Sequence, residues 1–245
     1  MRSAEWFKTV CDKNEFVISD LQAKLLKEYV SALLSWNERI NLISRRDEDN
    51  VWEKHILEST AFLFRLDLHP RTLLLDVGTG GGLPGIPIAI LRPNVDVVLV
   101  DSIQKKMAAV EEIIHQIGLG NASTLPGRAE HLSGLKEWKY RFDYVMVRAV
   151  APAKDIVKWC RDFLSAGTGE NPAGGKIIPT GTLLLLKGGD LEEELERLRV
   201  KIKPRRLDVY SVEVKGVDPD TMVDKKLLVI DPRGVNAAPG ESGGK

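Results

Sequence analysis

The residues best placed to do chemistry stand close together in LLLDVGTGGGLPGIPIAILRPNVDVVLVDS, Leu73 to Ser102. One apolar run reaches Asp76, five glycines fall in the eight residues from Gly78 to Gly85, and a second apolar run ends at Asp101. Glycines directly after a strand let the backbone turn sharply and approach a ligand closely. Two ligands call for such a bend, a nicotinamide dinucleotide and S-adenosylmethionine. The dinucleotide pattern is Gly-x-Gly-x-x-Gly at the strand end, with an acid ~20 residues on. Counted from Gly78, its last position is Leu83; counted from Gly80, it fits as Gly80, Gly82 and Gly85, two residues late. The tighter description is acid-x-Gly-x-Gly-x-Gly over Asp76, Gly78, Gly80 and Gly82. A pyrophosphate wants free backbone amides and no carboxylate nearby. S-adenosylmethionine has no phosphate, but it carries an ammonium and a sulfonium, so an acid at the first strand's mouth suits it. Asp101 can accept from both ribose hydroxyls, which either ligand requires. Ala129 and Glu130, in GRAEHL beyond the third strand, fall beside the expected adenine. Helix capping is the alternative for the two aspartates, and a helix start for Glu130.

A second group faces the same rim. Arg148 follows the buried strand FDYVMV and can grip a phosphate or a carboxylate bidentately; a surface ion pair is the alternative. Lys187 ends the next strand, as a site residue or a solvated lysine. His55 lies in an apolar helical segment, where a packed, hydrogen-bonded ring competes with a ligand contact. Asn37 and Asn41 brace a loop or read a base edge. Arg39, Arg45 and Arg46 form one candidate basic patch around INLIS. RLRVKIKPRR supplies another in Arg197, Arg199, Lys201, Lys203, Arg205 and Arg206, whose first four line one face if the segment is extended; a helix end running into an edge strand is the competing reading. Cys11 and Cys160 lack paired spacing, and no second histidine stands at metal spacing from His55, so we expect no metal and no disulfide.

These residues need a frame. With 245 residues, 43% hydrophobic and 29% charged, the chain fits one large domain, or one domain with an appendage. Its formal net charge of zero argues against a protein that coats nucleic acid, though not against a local basic face. Apolar runs fall far short of the ~20 residues of a membrane span, and no leader-like segment follows Met1, so we expect a cytoplasmic protein. Residues 1–68 read as a helical extension. Leu21, Leu25, Tyr29, Ala32, Leu33 and Trp36 recur at helical period, with Ser19 or Asp20 as cap. A loop, NERINLISRRDEDN, then leads to a second helix near Val51–Leu66. From Thr72, the runs TLLLDV, VDVVLV, FDYVMV, GTLLLLKG and KKLLVI alternate with helical patterns, which means a parallel sheet covered on both faces. Ile103–Ile117 is one such helix, with Ser102 able to cap it. The run from Arg205 to Ile230 predicts an antiparallel edge hairpin. Residues 69–232 thus form the ligand-binding domain. Ser165–Gly181 reads as a loose Gly/Pro-rich segment, and 233–245 as a disordered tail.

With these pieces assembled, the sequence resembles the bacterial small-subunit ribosomal RNA guanine-N7 methyltransferases, the glucose-inhibited division protein B family. The likeness rests on SWNERINL (Ser35–Leu42), KHILES (Lys54–Ser59), DVGTGGGLPGIPIAILRP (Asp76–Pro93), DSIQKK (Asp101–Lys106), RAE (Arg128–Glu130), VRAVA (Val147–Ala151) and LLKG (Leu185–Gly188). It implies a Rossmann-like class I methyltransferase fold: a mostly parallel seven-stranded sheet with an antiparallel edge hairpin, helices on both faces and the N-terminal extension. It implies S-adenosylmethionine as cofactor, with contacts at Gly78, Leu83, Ala129, Glu130 and Arg148 and the ribose on Asp101. It also implies 16S rRNA or the small ribosomal subunit as partner, with Asn41, Arg46, His55, Arg148 and Lys187 as RNA candidates, no catalytic acid or base, and a monomer.

Overall fold

The computed structural model describes residues 2–148, 151–167 and 176–234. The strands are β1 (Thr72–Val77), β2 (Val95–Asp101), β3 (Ala122–Pro126), β4 (Tyr144–Arg148), β5 (Thr182–Lys187), β6 (Arg206–Ser211) and β7 (Lys226–Asp231). They form one sheet in the order β3-β2-β1-β4-β5-β7-β6. The first five are parallel, while β7 runs antiparallel to both β5 and β6. The expected edge hairpin is therefore present. The two strands that no apolar run announced, β3 and β6, are the two edges; half-exposed, they need fewer apolar residues.

Residues alternate between two packed faces. Leu74, Leu99, Tyr144, Met146, Leu184, Leu227 and Val229 join one core, while Leu75, Val100, Val145, Val147, Leu185, Leu228 and Ile230 join the other. The first core is covered by α1 (Ala4–Lys13), α2 (Asp20–Asn37), α3 (Glu58–Thr60), α4 (Gly85–Leu91) and α5 (Gln104–Gln116). The second lies under α6 (Ala129–Leu132), α7 (Ala153–Cys160) and α8 (Glu192–Lys201). Both cysteines are buried free thiols pushed up to about 12, by burial first.

The N-terminal layer departs from the simple expectation in two ways, and the cap of α5 in a third. Helix α2 starts at a capping box, with Gln22 N–H donating to Ser19 Oγ (3.2 Å) and Ser19 N–H to Gln22 Oε1 (2.9 Å). Its buried face is Leu26, Tyr29, Val30, Leu33 and Asn37, and Leu21 is left 63% exposed, so the stripe sits about one residue round from the sequence reading. The expected single helix near Val51–Leu66 is a chain of short turns, π over Trp52–Leu57, α3, then 3-10 over Ala61–Phe64, and the loop before it carries a 3-10 turn over Arg45–Asn50. Thr60 Oγ1 donates back to the Ile56 carbonyl (2.7 Å), a bond that bends helices. Ser102 does not cap α5; Asp101 Oδ1 accepts from Ile103 N–H (2.9 Å) in its place.

The sheet order reverses between β1 and β4, because β2 and β3 continue on one side of β1 while β4 and β5 lie on the other. In open sheets of this kind the ligand crevice lies at that point, beyond the carboxyl ends of the strands. The RLRVKIKPRR stretch lies at the far edge. Arg197, Arg199 and Lys201 belong to α8 and Arg206 to β6, so two-residue spacing does not align them. Glu193, Glu196 and Asp208 pair with Arg197, Arg199 and Arg206. Arg233, placed by sequence in the tail, is bonded through two guanidinium nitrogens to Asp231. Residues 168–175 of the Gly/Pro-rich segment and 235–245 of the tail lie outside the described residues.

Buried Asn37 ties the extension together. Its Oδ1 accepts from the Leu42 and Ile43 amides (2.7 and 2.9 Å), and its Nδ2 donates to Glu48 Oε1 (2.6 Å). Asn37→Ala orphans two buried amides and should cost about 2–4 kcal/mol in urea unfolding; a loss below about 0.5 kcal/mol would contradict this bracing role.

Candidate functional site

The parallel register sets the site. Val77 lies opposite Val100 in β2 and Val147 in β4, so Gly78, Asp101 and Arg148 come one step later on the same rim. Asp101 in turn pairs with Pro126, which brings Gly127, Arg128, Ala129 and Glu130 to that rim. Gly78, Gly80 and Gly82 take φ of 75°, 57° and 95°, the left-handed region that an alternating glycine motif supplies without strain. The loop hangs on β2 through Gly78 N–H and Thr79 N–H, both donating to the Val100 carbonyl (2.8 and 3.0 Å).

Asp76 lies beneath this loop, fully buried. Its Oδ2 accepts from Thr79 Oγ1 (2.6 Å) and from Gly85 N–H (2.8 Å), fixing both ends of the bend. Gly85 has no alternative, because a Cβ there would fall 2.7 Å from Asp76 Oδ2 and 2.9 Å from Leu99 Cδ2. Oδ1 of Asp76 has no hydrogen-bond donor among the described residues. Burial raises the Asp76 carboxyl to about 6; the Thr79 hydroxyl, the Gly85 amide and the Arg148 charge hold it down, and Asp101 adds to the rise.

Asp101 is half-buried. Its Oδ2 accepts from Gly80 N–H (3.1 Å) while its Oδ1 holds the start of α5. A carboxylate has about four acceptor positions, so both oxygens keep capacity for hydroxyl donors. Leu83 and Ala129 are buried, and Glu130 is exposed at the first turn of α6.

The extension presses on the loop from above. Tyr29 Oη donates to the Gly81 carbonyl (2.9 Å). A Cβ on Gly81 would fall 2.7 Å from Leu33 Cδ1, and one on Gly80 would lie 3.6 Å from the Leu42 carbonyl oxygen. Arg148, half-buried, donates from Nη1 to the Lys54 carbonyl and from Nη2 to His55 Nδ1, both at 3.2 Å. The sequence did not single out Tyr29, Thr79 or Asp47 as site residues. Thr79 sat unremarked between two motif glycines, and Tyr29 was read only as one member of an apolar stripe.

The RNA candidates separate. Asn41 and Arg46 are exposed on the loop above the glycines, and Arg46 makes no ion pair among the described residues. His55 is 9% exposed and faces Arg148 and Asp47 rather than open solvent. Lys187 Nζ is bound to Glu194 Oε1 and the Ala151 carbonyl, both at 2.8 Å, so its charge is compensated within the protein. Among the described residues, no group of three or more His, Cys, Asp or Glu side chains could hold a metal ion, and no helix is long and apolar enough to cross a membrane.

A reversal-point crevice with an acid-anchored glycine bend, in a sheet whose last strand is antiparallel, defines a class I methyltransferase of Rossmann-like fold. The sequence model described as rRNA small subunit methyltransferase G matches residues 22–222. The ribosomal RNA small subunit methyltransferase G of Bacteroides thetaiotaomicron is 39% identical over 177 residues, 72% of this chain and 80% of that one. Its namesake from Porphyromonas gingivalis is 36% identical over 190 residues, 78% and 80% of the two chains. The chain belongs to the rRNA small subunit methyltransferase G family. Among solved structures, the fibrillarin pre-rRNA processing protein of Methanococcus jannaschii superposes with a TM-score of 0.51 at 15% identity, over 75% of this chain and 76% of that one, a likeness of fold.

Asp76 makes stability depend on pH. The folded carboxyl, at about 6 against an ordinary 3.8, keeps its proton where the unfolded chain has lost it. Stability of the ligand-free protein therefore falls as pH rises through that window. Asp76→Asn keeps an acceptor for Thr79 and Gly85 and removes the buried charge. It should raise the unfolding free energy by about 1–3 kcal/mol at pH 7.5, with the gain vanishing toward pH 4. Urea titrations at both pH values check this; an equal shift at both would refute it.

Proposed function

We propose that the protein methylates guanine N7 in the 16S rRNA of the small ribosomal subunit, using S-adenosylmethionine held at the β1–β4 reversal. The observation that carries the cofactor reading is the occupied amide of the loop: Gly80 N–H is taken by Asp101 Oδ2, and Asp76 lies directly beneath. A polyphosphate would meet two carboxylates and a loop amide already spent. A phosphate-free, cationic nucleoside meets complementary charge. The alternatives are a nicotinamide-dependent oxidoreductase and a non-catalytic RNA-binding factor with a vestigial cofactor pocket; the family membership favours neither.

In this reading Gly78, Gly80, Gly82 and Leu83 line the cofactor's path. Asp101 receives the ribose hydroxyls, Ala129 and Glu130 flank the adenine, and the free Oδ1 of Asp76 lies on the side of the cationic amino-acid end. Arg148 offers its remaining N–H groups to the cofactor's carboxylate. When bound, S-adenosylmethionine would supply an electrophilic methyl group for guanine N7, with a neutral thioether as the leaving group. N7 has a lone pair at neutral pH, so no side chain has to remove a proton. The protein's contribution is orientation, which alone can supply several kcal/mol of the barrier. The target base is unstacked to enter the crevice. Arg39, Arg45 and Arg46, exposed and without ion pairs among the described residues, hold the RNA backbone beside the glycine loop, with Asn41 among them. The working form is a monomer in the cytoplasm, where its substrate is made.

The direct test is transfer of labelled methyl from S-adenosylmethionine to naked 16S rRNA and to small-subunit particles, with mapping of the modified base. Label at one guanine N7 is expected; label elsewhere, or none on either substrate, overturns the reading. The double variant Arg45→Ala/Arg46→Ala should bind RNA with a log–log salt dependence shallower by about 1.5 and leave cofactor affinity unchanged. An unaltered slope would remove these arginines from the interface.

A further inference from the structure

The guanidinium of Arg148 is held in an unusual way. Its two partners on one edge, the Lys54 carbonyl and His55 Nδ1, are both neutral acceptors, and no carboxylate pairs with it within 4.0 Å among the described residues, while Glu58, Asp76 and Asp47 act on its charge from further away. Arg233 gives the contrast: its guanidinium is clasped by both oxygens of Asp231, at 2.7 and 2.9 Å, and its charge is spent there. Arg148 keeps its charge, and N–H groups beyond the two committed, at the rim of the crevice.

Both neutral partners come from the π-helical turn Trp52–Leu57, an element often found at functional sites. A ring nitrogen that accepts from a guanidinium cannot carry a proton, so the proton of His55 is on Nε2. Nε2 lies 3.8 Å from Asp47 Oδ2 and has no hydrogen-bond partner among the described residues. Asp47 is fixed in turn, with its Oδ1 accepting from Lys54 Nζ at 2.8 Å. Burial lowers the ring to about 4; the Arg148 and Lys54 charges act the same way and Asp47 opposes them, so the accepting form prevails at neutral pH.

We propose that His55 is a positioning residue: backed by Asp47, its Nδ1 aims the Arg148 guanidinium, which no carboxylate clasps, at the amino-acid carboxylate of the cofactor. The N-terminal layer then completes the cofactor site rather than merely covering it. This rests on the cofactor reading above, and the two can fail separately.

The test compares binding of S-adenosylhomocysteine, which has the carboxylate, with 5′-methylthioadenosine, which lacks it, in the full-length protein. His55→Ala should weaken S-adenosylhomocysteine about tenfold, as loss of a hydrogen bond to a charged group does. The same variant should leave methylthioadenosine within about twofold. His55→Asn, which keeps an acceptor near the Nδ1 position, should recover most of the loss. In His55→Ala/Arg148→Ala the two effects should not add, because the first acts through the second. Equal weakening of both ligands, wild-type affinity in His55→Ala, or additive losses would overturn the proposal. If the wild-type protein binds neither nucleoside, the cofactor reading itself falls. The two-ligand ratio is read on folded protein, so loss of stability in His55→Ala does not mimic the expected result.

Discussion

A carboxylate buried away from the protein surface organises this site. Asp76 holds both ends of the glycine bend through one oxygen, and so converts a flexible sequence into a fixed loop. The arrangement is costly, because burying a carboxylate with an unpaired oxygen raises its proton affinity and works against the fold. A cationic ligand reverses that penalty, and an anionic one would deepen it. On the proposed function, the discrimination between a sulfonium nucleoside and a dinucleotide resides beneath the loop as much as on its surface.

The second constraint comes from the N-terminal layer. In a bare doubly wound sheet the glycine loop would face solvent. Here Tyr29, Leu33 and Leu42 lie against it, and the turn at Trp52–Leu57 reaches over to Arg148. Two polar groups that face this layer from the sheet, Asp76 and Arg148, have protonation equilibria that burial disturbs. Extension and sheet therefore share one buried polar seam.

Much of this was legible in the residues. The apolar runs ending at Asp76 and Asp101 and the alternating glycines located the crevice, because strand burial and positive φ leave strong compositional marks. The edge strands β3 and β6 left weaker ones, being half solvated. The segment from Val51 to Leu66 looked like one regular helix, since apolar spacing does not distinguish α from π or 3-10 turns over a few residues. The direction in which His55 and Lys187 point was not readable either; a charged or polar side chain at a rim can turn outward or find a partner inside, and here Arg148 and Glu194 decided it. Gly85 left a signal that points to the wrong ligand and that its late position discounts. It closes a dinucleotide-like spacing, yet its role here is to leave room for the Asp76 carboxylate against the start of α4.

The central claim is that a cation-seeking carboxylate lies under the loop. Titration calorimetry of the pure protein near pH 6, in two buffers of different ionisation enthalpy, tests it most directly. The account predicts that S-adenosylhomocysteine binds at a single site and expels a proton, as its ammonium stabilises the charged form of Asp76. Tight binding of NADH with no heat from S-adenosylhomocysteine would contradict it.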